Sequence, residues 1–190
     1  MFDHFSLLAP IYERLIPPPS SDELGDLLTL TPSSVLLDAA GGTGRVSAQF
    51  APDVGRIVVC DSSEGMLAEA RTKGLETVLA ETEQLPFENC TFDCVMLVDA
   101  YHHLKNQQRS IAELLRVLKP DGTLVIEEPD LRRPLVKFVA LLEKLFLMRS
   151  HFVRVENMIS AIQAQGGHAT LVREGRFRIW LSVTKELRSN

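Results

Sequence analysis

Four acidic residues and one glycine-rich turn are the parts of this 190-residue sequence whose types and spacing suit chemistry. The turn, Asp38-Ala39-Ala40-Gly41-Gly42-Thr43-Gly44, follows the apolar run Val35-Leu36-Leu37. Glycine lets a backbone bend sharply and approach a ligand without a Cβ in the way. A helix starting behind the turn offers free N–H groups and the positive end of its dipole to an anionic group. Asp61 closes the run Ile57-Val58-Val59-Cys60 about 20 residues further on, where a carboxylate can accept from both hydroxyls of a ribose. It could also cap the helix that follows, and the two roles are compatible. Glu81 follows Thr77-Val78-Leu79-Ala80 and Asp99 follows the run ending in Val98, although Glu81 could equally be a loop acid facing water. Carboxylates in such places suit a ligand presenting hydroxyls and amines better than one rich in phosphate.

To bring these residues together, the runs before them must be strands ending side by side. Residues 35–38, 57–61, 77–80, 92–98 and 122–126 read as strands, and 44–50, 64–73 and 111–118 as helical stretches between them. That alternation predicts an α/β fold, a Rossmann-like doubly wound, mostly parallel sheet with its ligand at the carboxyl ends of the strands. Beyond a helix at 155–165, residues 169–173, a Glu174-Gly175 turn and residues 176–185 predict an antiparallel hairpin. In its second arm Phe177, Ile179, Leu181 and Val183 alternate with Arg178, Trp180 and Ser182. Ahead of the sheet, Phe2, Phe5, Leu8, Tyr12 and Leu15 have helical spacing up to Pro17-Pro18-Pro19, and Ser20-Ser21-Asp22 would cap a second helix through Leu30. The chain reads as a single domain over 1–190: N-terminal helices at 1–32, a binding core at 33–130, and a helical segment with the closing hairpin at 131–190.

The net charge of -5 argues against a protein that coats nucleic acid. The charge is uneven, with 9 Lys/Arg against 21 Asp/Glu in residues 1–130 and 11 against 4 in residues 131–190. Within 131–154, Leu135, Phe138, Val139, Leu142, Leu145 and Phe146 lie among Arg132, Arg133, Lys137, Lys144 and Arg149. The segment reads as a core helix with a basic edge, at the interface of a dimer, or as a surface for a hydrophobic acceptor or an anionic membrane. An aromatic platform for stacking RNA bases is not evident. Cys60, Cys90 and Cys94 have neither zinc-site spacing nor an even count for disulfides, so no metal is expected. A reducing compartment fits, and with no basic region ahead of an apolar stretch at the start, the expected location is cytoplasmic. The apolar stretch 135–148 is interrupted by charges and falls short of the ~20 residues needed to span a bilayer.

Several motifs stand in a fixed order: Leu36 through Gly44, Asp61, Leu85-Pro86-Phe87 with Phe92-Asp93, His102-His103-Leu104, then Glu113 with Arg116-Val117-Leu118-Lys119-Pro120-Asp121-Gly122. Together, over about 33–130, they resemble the class I methyltransferases that use S-adenosylmethionine (SAM), most of all the branch with the ubiquinone and menaquinone biosynthesis C-methyltransferases. The resemblance implies SAM as cosubstrate and a seven-stranded sheet whose last strand is antiparallel. It also implies methyl transfer to a small-molecule acceptor such as a quinol, phenol or lipid-like compound. Asp38, Gly42 and Gly44 would line the methionine end, Asp61 would take the ribose, Glu81 and Thr82 the adenine, and Val98 and Asp99 the far side, with Gly41, Thr43, Ser62 and Met66 completing the cofactor-binding set. Ala40 departs from the glycine that many members carry, and Asp121 from a Pro-Gly-Gly turn.

Methyl transfer is an in-line displacement that mainly asks for alignment and exclusion of water. Tyr101 and His103, just after the fourth strand, are the candidate catalytic residues, histidine being the natural base near neutral pH. Packing or loop hydrogen bonding would account for His103 as well. Glu127, Glu128 and Asp130 are candidates for the acceptor pocket, and His4 and Tyr12 for its closure. A catalytically silent SAM-binding scaffold would keep the same motifs. A nicotinamide-dependent oxidoreductase would share the glycine turn and Asp61, but would not need Leu85-Pro86-Phe87 or residues 116–122.

Overall fold

The computed structural model describes residues 21–134, 136, 151–175 and 177–185. The helix expected over 2–16, with His4 and Tyr12, and most of the 131–154 segment lie outside the described residues.

Strands and helices follow one another as the apolar periodicity predicts. Helix α1 (Ser21–Leu28) leads into β1 (Val35–Ala39), α2 (Ser47–Phe50), β2 (Arg56–Asp61), α3 (Glu64–Thr72), β3 (Glu76–Leu79) and β4 (Phe92–Val98). A short 3-10 turn (Tyr101–His103) precedes α4 (Gln107–Val117), β5 (Leu118–Pro129), α5 (Val155–Ala164), β6 (Gly167–Glu174) and β7 (Arg178–Lys185). Helix α2 is one turn long because Pro52, two residues past its end, has no N–H with which to continue it.

The seven strands form one sheet in the order β3-β2-β1-β4-β5-β7-β6. From β1 the chain winds outward through β2 to β3, then crosses back to place β4 on the other side of β1. That reversal opens a crevice at the carboxyl ends of the strands. Parallel register aligns those ends: Asp38 lies opposite Val59 and Met96, Asp61 opposite Leu79, and Val98 opposite Glu127. Strand β7 runs antiparallel to both β5 and β6.

The central strands are covered on both faces, which is why they read as unbroken apolar runs. Successive residues feed different cores. Leu37, Val58 and Val95 pack with Ile111 and Leu114 of α4 and with Met158 and Ile162 of α5. Their neighbours Leu36, Val59 and Met96 pack with Leu24 and Leu28 of α1, Phe50 of α2 and Leu67 of α3. Strand β5 is longer than the 122–126 run, because Lys119-Pro120-Asp121-Gly122 forms an irregularity within the strand. Phe92 pairs with Leu118 and Cys94 with Thr123 around it. Among the described residues no helix is long and apolar enough to cross a membrane.

Candidate functional site

The glycine turn is set by backbone conformation and by contact. Ala40, Gly42 and Gly44 have φ of 52°, 56° and 68°, the left-handed region in which a Cβ is strained. Gly41 donates its N–H to the Cys60 carbonyl at 3.1 Å, and Gly44 donates to that of Gly41 at 3.0 Å. A Cβ on Gly41 would lie 2.4 to 2.8 Å from the Asp38 carboxyl atoms, so only glycine fits over that group.

Asp61 ties this turn to the next helix. Its Oδ2 accepts the Gly42 N–H at 2.9 Å and its Oδ1 the Ser63 N–H at 2.8 Å. The N-cap of α3 is Ser63 rather than Asp61, the Ser63 hydroxyl accepting from Met66 N at 3.4 Å. Asp38 is 1% exposed and accepts the Ser47 hydroxyl at 2.6 Å. Burial pushes its carboxyl up to about 7, against the hydrogen bond from Ser47 and the charge of Arg45. Arg45 lies 3.7 Å from the Asp99 carboxylate. Asp99 itself has φ of 56° and donates its N–H to the Glu127 carbonyl at 2.9 Å.

These elements line a cleft that is open to solvent at its mouth. Asp38, Gly41, Gly42, Asp61, Ser62, Met66, Glu81, Thr82, Val98 and Asp99 all line it, whereas Thr43 and Gly44 stand behind the turn. The Glu81 carboxylate pairs at the exposed rim with Lys105. His103 lines the cleft, and burial, with His102 beside it, lowers its pKa to about 3, so the ring is neutral near pH 7.

Tyr101 does not line the cleft; its side chain is 2% exposed in the core, and burial pushes the phenol up to about 12. Nor do the three candidates for the acceptor pocket. Glu127 pairs with Arg178, Glu128 with His102, and Asp130 with Arg132 and Arg133. Sequence reasoning passed over Arg45 and Lys105, which do line the cleft. The signal available was adjacency, Arg45 to the glycine turn and Lys105 to His102-His103-Leu104.

The remaining motif residues build the frame. The Glu113 carboxylate accepts the Leu85 N–H at 2.9 Å, while Arg116 donates to the Leu85 carbonyl at 3.0 Å, the Phe87 carbonyl at 2.7 Å and the Glu113 carboxylate. Helix α4 thereby holds the connection that brings Glu81 and Thr82 to the cleft. Asp93 accepts from Val35 N at 2.9 Å and from Lys119 Nζ at 2.6 Å, fixing the start of β1 against β4 and β5.

Residues 37–126 match the family described as Methyltransferase domain. The match is to a methyltransferase domain, and it takes in the glycine turn, Asp61 and all five parallel strands but for the ends of β1 and β5. Over 104 residues the chain is 36% identical to the ubiquinone/menaquinone biosynthesis C-methyltransferase UbiE of Enterobacter sp. (strain 638), an alignment covering 49% of this chain and 41% of that protein. The chain thus spans about two fifths of the length of the curated relatives it matches. The domain's fold is shared with YcgJ of Bacillus subtilis, with a TM-score of 0.78 and 16% identity, covering 88% of this chain and 98% of that one. It is shared too with a SAM-dependent methyltransferase of Thermotoga maritima, with a TM-score of 0.74 and 21% identity, covering 95% and 98%.

SAM is the cosubstrate that a methyltransferase domain of this kind implies. The donor set fits such a group: a buried carboxyl for an ammonium, a strand-end carboxylate for vicinal hydroxyls, and the apolar Met66 and Val98 beside them.

Proposed function

We propose that the chain transfers a methyl group from SAM to a small-molecule acceptor, a quinol, phenol or lipid-like compound. The observation that carries the reading is the gathering of Asp38, the glycine turn, Asp61 and His103 around one cleft. When bound, SAM supplies an electrophilic methyl group on a sulfonium. In this reading Asp38 and Gly42 hold the methionine end, and Asp61 takes the ribose hydroxyls on lone pairs left over from Gly42 and Ser63. Thr82 and Glu81 take the adenine, Glu81 releasing Lys105 to do so, while Val98 and Asp99 close the far side.

His103 is the acceptor-side residue. A neutral imidazole does not repel a sulfonium and can still receive a hydrogen bond, so it suits orienting an acceptor better than removing its proton in advance. The likeness to UbiE supports the quinol class.

Calorimetric titration with SAM and S-adenosylhomocysteine, comparing the chain with its Asp61→Ala variant, tests the cofactor part. Binding of both ligands that weakens about tenfold or more in the variant is expected. Mass-spectrometric screening of quinols and phenols then reads the transfer. Folded wild type that binds neither ligand, or that binds NAD instead, would overturn the proposal.

A further inference from the structure

Glu128, near the end of β5, meets the Tyr101–His103 turn with both carboxylate oxygens. Oε1 accepts the Tyr101 N–H at 2.7 Å and Oε2 lies 2.7 Å from His102 Nδ1, with Glu128 only 3% exposed. A carboxylate is an acceptor, so the partner nitrogen of His102 is the one that carries the proton.

His102 is buried as well. Its ring stacks on Phe152 at 4.2 Å and 11°, and meets the His103 ring at 4.0 Å and 47°. Of the three residues in the turn, His103 is the one that lines the cleft. The backbone bonds of the turn itself are His103 N to the Ala100 carbonyl at 2.9 Å and Leu104 N to that of Tyr101 at 3.2 Å. One 3-10 turn has little stability of its own, so the place of His103 depends on what grips the turn from outside. Gln107 of α4 adds to that grip, donating to the Tyr101 carbonyl at 3.1 Å and that of His151 at 2.9 Å.

We infer that Glu128 is a positioning residue: through His102 it fixes the His103 imidazole at the acceptor end of the cleft, where that ring accepts a hydrogen bond from a hydroxyl or N–H of the acceptor. The acceptor's part rests on the methyl-transfer reading above; the grip on the turn does not. A substrate whose methylated group or its neighbour is a hydrogen-bond donor follows from it, and one lacking any donor is disfavoured.

The test is histidine-ring NMR of the full chain, free and with S-adenosylhomocysteine, in wild type, Glu128→Gln and Glu128→Ala. Wild type is expected to show His102 protonated at Nδ1. Glutamine has one acceptor oxygen for two donors, so in Glu128→Gln either the His102 tautomer changes or the Tyr101 bond is lost, and the His103 resonances move. In Glu128→Ala they move further. S-adenosylhomocysteine affinity stays within about twofold, because the residues assigned to it lie elsewhere. With an acceptor from the screen, Glu128→Ala lowers kcat/KM for that acceptor about tenfold or more and leaves the KM for SAM unchanged.

Unmoved His103 resonances in both variants, or loss of S-adenosylhomocysteine binding in step with them, would overturn the inference. If Glu128→Ala does not fold, Glu128→Gln decides. If wild type fails to bind S-adenosylhomocysteine, the methyl-transfer reading falls while the spectra of the free chain still judge the grip on the turn.

Discussion

Asp61 accepts the backbone N–H of Gly42 at 2.9 Å, so the end of β2 holds the tip of the turn that leaves β1. With the Ser63 bond included, one carboxylate ties two loops together before any ligand arrives. Asp61→Ala is therefore expected to destabilise the ligand-free chain by about 2 kcal/mol, and Asp61→Asn, with a single acceptor oxygen, by roughly half as much. Urea unfolding without ligand checks both, and equal losses would contradict the two-bond account.

Asp38 makes stability depend on pH in a direction opposite to that of a salt-bridged acid. Its pKa is raised from 3.8 to about 7, so between those values the folded chain holds a proton that the unfolded chain has lost. That contribution is fully present below 3.8 and is lost as pH rises through about 7. Glu127 behaves in the same way, while His103, held neutral, contributes above its ordinary value and loses that as pH falls. Comparing variants isolates one group. Asp38→Asn is expected to gain on wild type in melting temperature between pH 5 and pH 8, and a constant difference would show that Asp38 is already ionised at pH 5.

Two adjacent positions in the glycine turn are expected to respond in opposite directions. Ala40 sits at φ 52°, which costs an L-residue about 1 kcal/mol or more, so Ala40→Gly should stabilise by up to about 1 kcal/mol. Gly41→Ala would drive a Cβ into the Asp38 carboxyl and should destabilise by about 2 kcal/mol. Chemical denaturation of the two variants in one buffer measures the contrast, and a stabilised Gly41→Ala would sink it.

Arg116 is partly exposed, yet it donates to two backbone carbonyls as well as to Glu113. Arg116→Ala should cost about 2 kcal/mol and raise hydrogen exchange through residues 80–90, where the Leu85 and Phe87 carbonyls lose their donor. Arg116→Lys should restore little, since a single ammonium cannot reproduce the planar fork. Exchange mass spectrometry that finds residues 80–90 unchanged would assign this arginine to the surface instead.

The sheet was legible because its central strands are buried on both faces. Val35-Leu36-Leu37 and Ile57-Val58-Val59 supply alternate side chains to two cores and so appear as unbroken apolar runs. The start of β5 was not legible, since Lys119-Pro120-Asp121-Gly122 has the composition of a turn and acts as an irregularity inside a strand. In the cleft, the acids at strand ends could be read from strand direction alone. For Arg45 and Lys105 the only signal was adjacency to a motif, and it is weak because a basic residue beside a loop faces solvent as readily as a ligand. Tyr101 follows the fourth strand just as His103 does, and position after a strand does not say which way a side chain turns. A 3-10 turn sets successive side chains about 120° apart, and the phenol went to the core instead.

The insertion of β7 between β5 and β6 also governs the order of assembly during synthesis. The five parallel strands can pair once Pro129 has left the ribosome, but β5 then presents an open edge, and β6 has no neighbour until β7 arrives. Through that interval Glu127 lacks Arg178, the partner that reaches it from β7. An unpaired edge beside an unneutralised acid is the point at which a nascent chain of this topology is most open to wrong pairing, and to a chaperone that binds exposed strands.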